Sequence, residues 1–223
     1  YRKPVLPAVP TETNGGWASL PIDHFVAVAQ KRHGLQPAQP ANGKLLLRRI
    51  AMDITGIMPS AAELDAFPDK PTQADIRKVI DTYLASQEYG RRWGRHWLDI
   101  ARFAESSGKD ANVAYPEAWR YRDFVIDSFN ANKPYDTFIR EQIAGDLLPS
   151  ASTSLTATQT IATGYLAIGT KSHTERNTRQ FRLDVADEQI DAIGQGILGL
   201  TVACARCHDH KTDPISQRAY YQL

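Results

Sequence analysis

Apolar residues recur along this chain at intervals of three and four, the spacing that gathers side chains on one face of an α-helix. The first twenty residues differ: Pro4, Pro7, Pro10 and Asn14-Gly15-Gly16 read as an extended, Pro-rich leader. From Pro21, the residues Ile22, Phe25, Val26, Ala29 and His33 share a helical face that Gly34 closes. A loop over 37–42 precedes a second helix over about 43–54, broken by Thr55-Gly56 and Pro59. Ser60 with Glu63 three residues on is a capping-box pattern, opening a short helix that ends by Pro68. Thr72 caps another, carrying Ile76, Val79, Ile80, Tyr83 and Leu84. Residues 88–105 form a strongly amphipathic stretch with Trp93, Trp97, Ile100 and Ala104 in register, ended by Ser106-Ser107-Gly108. Helices over 117–130 and 135–148 follow, then a polar loop over 150–154. Residues 156–168 read as helical, although their threonines also permit a strand. A long helix over 179–202, with Ile190, Ile193, Ile197 and Leu200 facing inward, is expected to run directly into Cys204. There is no repeat of fixed period and no sustained alternation of the strand type. The pattern predicts an all-α chain, an irregular multi-helix bundle over 21–223 behind the leader 1–20.

The 223 residues bound this to one compact domain or at most two small ones, with 42% hydrophobic residues to form a core. Lys and Arg (26) nearly cancel Asp and Glu (25). A balance this even argues against a nucleic-acid binder, which needs excess cations to displace counterions. The richest apolar stretch, residues 193–203, carries three glycines and is shorter than the ~18 apolar residues a membrane span needs. Residue 1 is not Met and begins no signal peptide, so the chain reads as a mature or excised segment.

Candidate chemistry gathers at the C-terminal end. The two cysteines both lie in Cys204-Ala205-Arg206-Cys207-His208. Two cysteines scattered at random would stand three apart in about 1 chain in 100, and C-x-x-C-H is the pattern of c-type haem attachment. Thiols one helical turn apart point at the same porphyrin edge, where they add across the two vinyl groups. The adjacent imidazole then falls beneath the iron. On this reading Cys204 and Cys207 are thioether anchors and His208 is the proximal ligand, its second ring nitrogen held by a nearby backbone carbonyl. Pro214 is placed to shape the following turn. A zinc site built from Cys204, Cys207, His208 and His210 is the rival reading, weakened by the strain of adjacent ligands at 207 and 208. A thioredoxin-type pair needs a βαβ setting that the pattern lacks.

The sixth ligand is open. His210 cannot reach the other face, because two residues span at most about 7 Å. His24 reads as a solvated residue, His33 as a helix-end partner of the dipole, and His173 as part of a polar loop. Met52 and Met58 are iron-ligand types that are more often core filler. His96 falls beside Trp93, Ile100 and Phe103, a half-buried histidine suited to the wall of a haem pocket, and the same position suits a core histidine bonded to a neighbour. Arg92, Arg95, Arg120 and Arg122 are candidates for the propionates or simply surface. Gly194-Gln195-Gly196-Ile197-Leu198-Gly199 matches the dinucleotide fingerprint but lies in a helical pattern, so its small residues are expected to permit close approach of a neighbour or of the porphyrin.

The block from Gly199 to Lys211 with Asp213-Pro214-Ile215 resembles the planctomycete-type cytochrome C domain, the helical second type long catalogued as a domain of unknown function. The resemblance extends through Pro21-Ile22-Asp23, Leu47-Arg48-Arg49, Asp53-Ile54-Thr55-Gly56 and Tyr89-Gly90 to Ala104. It continues through Trp119-Arg120-Tyr121-Arg122-Asp123 and the segment Gln142 to Pro149, so it covers nearly all of the chain from residue 20. It implies an exported protein with one covalent haem c, commonly next to further domains, and it raises His96 as a distal-ligand or pocket residue. Met52 and Met58 depart from the family pattern, as does the loop around His173. The expected function is that of an extracytoplasmic, periplasmic-type electron carrier serving a redox protein or a redox-active neighbouring domain. A haem enzyme with an open sixth position and a haem-bearing subunit of a larger complex are the alternatives.

Overall fold

The computed structural model describes residues 2–12, 15–149 and 151–223. Asn14 of the expected leader turn and Ser150 of the expected polar loop lie outside the described residues. The elements in chain order are α1 (Pro21–Arg32), α2 (Gly43–Thr55), α3 (Ala61–Ala66), α4 (Gln73–Leu84), α5 (Gln87–Ile100) and α6 (Ala118–Asn130). There follow α7 (Tyr135–Ala144), α8 (Thr153–Ala162), α9 (Gly164–Ala167), α10 (Thr178–Ile193) and α11 (Gln217–Tyr220). Tight 3-10 turns occupy Gly145–Leu147 and Val202–Arg206, and a π turn occupies Gly194–Leu198. Among the described residues there is no strand, only an isolated bridge between Ser106 and Ala114, so the fold is all-α. No helix among them is long and apolar enough to cross a membrane.

The short helices begin where the side chains dictate. The Ser60 hydroxyl accepts from the Glu63 amide while Glu63 accepts from the Ser60 amide at 2.7 Å, and Thr72 with Asp75 repeats this reciprocal cap. The Asn42 side chain caps α2, and Gly56, at φ 72°, ends it in the left-handed conformation. The Tyr83 hydroxyl donates to the Glu63 carboxylate at 3.1 Å and ties α4 back to α3.

Helix α1 departs from expectation. Its apolar residues Ile22, Phe25 and Val26 are exposed and Ala27 alone is buried, because few residues of the bundle lie against that face. It is held instead by the leader, where the His24 Nδ1 donates to the Glu12 carbonyl at 2.8 Å and Lys31 pairs with the Glu12 carboxylate at 2.5 Å. His24 is therefore part-buried and bonded rather than simply solvated.

The main core lies where α5, α6, α7, α8 and α9 meet. The buried face of α5 is Gly90, Gly94, Trp97 and Leu98, continued by Ala101, whereas Trp93 and Ile100 are more than 40% exposed. The register expected from Trp93, Trp97, Ile100 and Ala104 is thus rotated. Glycine carries no hydrophobic signal in the pattern, yet here it marks the contact face: a Cβ at Gly90 would stand 2.5 Å from the Ile126 carbonyl and the Asn130 side chain of α6. At the centre, the Trp97 indole donates to Gln142 Oε1 at 2.7 Å, and the Tyr121 hydroxyl donates to the same oxygen at 2.6 Å. Gln142 Nε2 donates to the Phe138 carbonyl at 3.1 Å, so this fully buried amide joins α5, α6 and α7. Burial raises the Tyr121 phenol well above its ordinary range.

Helix α5 also stops five residues early. The Phe103 amide donates to Leu98 and the Arg102 amide to Asp99, the paired bonds of a Schellman end, with Arg102 at φ 53° where glycine is usual. Arg102 offsets that strain through its head group, which pairs with Glu188 of α10 at 2.8 Å and donates to the Tyr165 and Glu188 carbonyls. Lys171 takes the other Glu188 oxygen at 3.0 Å. Helix α7 likewise ends at Ala144 and tightens into a 3-10 turn, and residues 153–168 form two helices, α8 and α9, rather than one.

Replacing Gln142 by Ala removes the shared acceptor of two buried donors and leaves a void. Urea unfolding is expected to show a loss of about 3 kcal/mol or more, without loss of helical content in the folded state.

Candidate functional site

The path into the Cys204–His208 segment is not the continuous helix expected from the pattern. Helix α10 ends at Ile193, passes through the π turn Gly194–Leu198 and stops at Gly199, which adopts φ 65°. Each glycine of the G-x-G-x-x-G string has a steric reason to be there. A Cβ on Gly194 would lie 2.9 Å from Val202 and 3.0 Å from the Leu200 carbonyl, and one on Gly196 would lie 2.3 Å from the Tyr165 hydroxyl. Gly199 supplies the left-handed turn. The string permits close approach of neighbouring segments, and no phosphate cradle is needed to explain it.

The 3-10 turn Val202–Arg206 follows. Three residues per turn eclipse positions i and i+3, so the turn has three edges, here one buried, one half-buried and one exposed. Val202 and Ala205 point inward, into a small cluster with Tyr220, Ile190, Leu200 and Ile215. Cys204 and Cys207 fall on the exposed edge, and both are free thiols. The expected inward face of the preceding helix is split between two clusters: Ile193 and Ile197 pack on the main core, Ile190 and Leu200 on the smaller one.

The turn is clamped from two sides. Arg206 pairs with Asp187 of α10 at 2.6 Å, and the Tyr220 hydroxyl of α11 donates to the same carboxylate. The Asp187 charge raises the Arg206 guanidinium further above its already high value. Gln217 Nε2 and the Tyr221 hydroxyl both donate to the Arg206 carbonyl, at 3.0 and 3.2 Å. The Gln217 amide donates to the Asp209 carboxylate at 2.8 Å.

His208 is exposed, and its Nδ1 lies 2.8 Å from the Asp209 carbonyl. A carbonyl only accepts, so Nδ1 carries the proton and a neutral ring leaves its lone pair on Nε2. His210 is different. Its side chain is 7% exposed, and its Nδ1 accepts from the Asp213 amide at 2.9 Å, which puts its proton on Nε2, 3.0 Å from the Thr201 hydroxyl. Both nitrogens of His210 are occupied. Among the described residues no three His, Cys, Asp or Glu side chains converge on a common point.

The other candidates are scattered. His96 is exposed rather than half-buried, and its ring contact is with Trp93 at 5.5 Å. His173 faces Phe181, and Met52 and Met58 are exposed. Arg95 pairs with Asp99, Arg120 with Glu117 and Arg122 with Asp123.

A family model described as PSCyt2, protein of unknown function (DUF1549), matches residues 21–223. The chain belongs to the PSCyt2 family. No curated protein and no solved structure matches it. In this PSCyt2 chain the match begins at the first residue of α1 and takes in the whole bundle with the cysteine turn. The sequence reading missed Asp187, Tyr220, Gln217 and Thr201 as supports of that turn. Their partners lie 8 to 33 residues away, and no local spacing announces them.

Burial, and then the bond to Asp187, push the Tyr220 phenol well above its ordinary 10.0. A phenol whose folded value is raised contributes its full stability below the unfolded value, and that contribution falls as pH rises above 10. Tyr220→Phe is expected to lower stability at neutral pH by about 1–3 kcal/mol and to flatten the alkaline decline, read by urea unfolding at neutral pH and above pH 10.

Proposed function

We propose that the turn Cys204–His208 is the attachment site of one covalent haem c and that the chain is an extracytoplasmic electron-transfer domain. The observation that supports this most directly is that the 3-10 turn and its cap leave two free thiols, three residues apart, exposed together with the imidazole of the next residue. The residues fit the group. Two thiols on one edge suit the two vinyl groups, and His208 offers Nε2 while its Nδ1 proton is held by the Asp209 carbonyl. A bound haem supplies a one-electron iron couple.

The chain's own residues hold and orient. Val202 and Ala205 anchor the turn from beneath, and the Arg206–Asp187 pair fixes its rotation. The hydrogen bond that Nδ1 donates to the Asp209 carbonyl sets the plane of the ring and leaves Nε2 as the nitrogen free to bind. Since the three groups stand at the surface, exchange with a redox protein or a redox-active neighbouring domain does not require passage through the core. Covalent attachment and an extracytoplasmic address belong together, because a cofactor tethered by two bonds is not lost to dilution. The zinc reading would need a fourth donor in place of His210, whose two nitrogens are already engaged.

The test is the intact mass of the protein produced with a haem-attachment system, followed by extraction into acidic solvent. One haem added to the polypeptide and retained on extraction is the expected result, and replacing both Cys204 and Cys207 by Ala should leave any bound haem extractable. A polypeptide of unmodified mass under these conditions would sink the proposal.

A further inference from the structure

We propose that His210 is a positioning residue, a brace that closes residues 201–215 into a turn formed before any cofactor arrives. The inference rests on the reading of Cys204, Cys207 and His208 as the attachment residues. Thr201 stands at the entrance of the 3-10 turn, where its carbonyl accepts from the Cys204 amide at 3.1 Å. Its hydroxyl is 3.0 Å from His210 Nε2, which joins the start of the turn to the segment beyond it. The other ring nitrogen accepts from the Asp213 amide at 2.9 Å, and the Thr212 amide lies at 3.3 Å. The Asp213 carboxylate stands 3.5 Å from the same nitrogen.

The His210 amide donates to the Ile215 carbonyl at 2.8 Å, and the Ile215 amide donates to Asp213 across Pro214, also at 2.8 Å. The imidazole is thus buried inside a closed loop whose exposed rim carries both thiols and His208. An isolated thiol pair of this spacing would need only the local turn. A side chain that bonds residues on both sides of the pair fixes where the pair stands relative to His208, and this lowers the ordering entropy that binding must otherwise meet.

Three variants separate the brace from simple structural support. His210→Ala removes both bonds, His210→Asn keeps a short acceptor for the Asp213 amide but cannot reach Thr201, and Thr201→Val removes the hydroxyl with little change of shape. In the cofactor-free chain, hydrogen exchange of the Asp213 amide is expected to quicken about tenfold in His210→Ala, the weight of one hydrogen bond, and to be largely restored in His210→Asn. Exchange in the Trp97–Gln142 core should be unchanged in all three. In protein produced with a haem-attachment system, Thr201→Val and His210→Asn should each lower the doubly attached fraction severalfold by intact mass. Wild-type attachment levels in all three variants, or equal loss of protection in the core, would overturn the brace. If the unsubstituted chain takes up no haem, the attachment reading fails, while the exchange measurements on the cofactor-free chain still decide whether His210 closes the turn.

Discussion

The position of the cysteine turn depends on one relay of contacts that begins at Trp97. Its indole is fixed by Gln142 and stacks on Tyr165 with ring centres 5.8 Å apart. The Tyr165 hydroxyl donates to the Ala192 carbonyl at 2.7 Å and sits where any side chain at 196 would have to be. The end of α10 is therefore seated on the core through Gly196, and Gly194 lets Val202 approach within van der Waals contact. An error anywhere in that sequence of contacts is expected to shift the cysteine turn.

A second constraint is geometric. In a 3-10 turn the third residue on returns to the same edge, so Val202 and Ala205 share the buried edge while Cys204 and Cys207 lie on another, which is exposed. The buried pair is small enough to lie close under α11, and Tyr220 covers it while its hydroxyl reaches Asp187. One carboxylate thereby holds Arg206 of the turn and Tyr220 of the final helix. With the buried edge held in this way, the cysteines stay on the solvent side of the turn.

Charges within the fold serve the same end. Glu188, Arg102 and Lys171 form a partly buried set that ties the end of α5 and the loop after α9 to α10. Ion pairs at the surface, such as Arg95 with Asp99, contribute little by comparison. Arg102 accepts a left-handed backbone to join the buried set, and Gly169 leaves the space that Glu188 fills, since a Cβ there would stand 1.6 Å from the carboxylate.

By itself the sequence determined the helical class, most helix starts and the candidate motif. Caps such as Ser60–Glu63 and Thr72–Asp75, and the C-x-x-C-H spacing, are local, so neighbours in the chain suffice to specify them. The rotation of α5, the early stop at Arg102, the π turn after Ile193 and the supports at Thr201, Asp187 and Tyr220 were decided by tertiary structure. In each case the deciding partner lies beyond the reach of a local pattern: α6 against Gly90, Glu188 against Arg102, Val202 against Gly194. Periodicity reports which residues prefer burial, but which neighbour reaches them first is settled only when the helices pack.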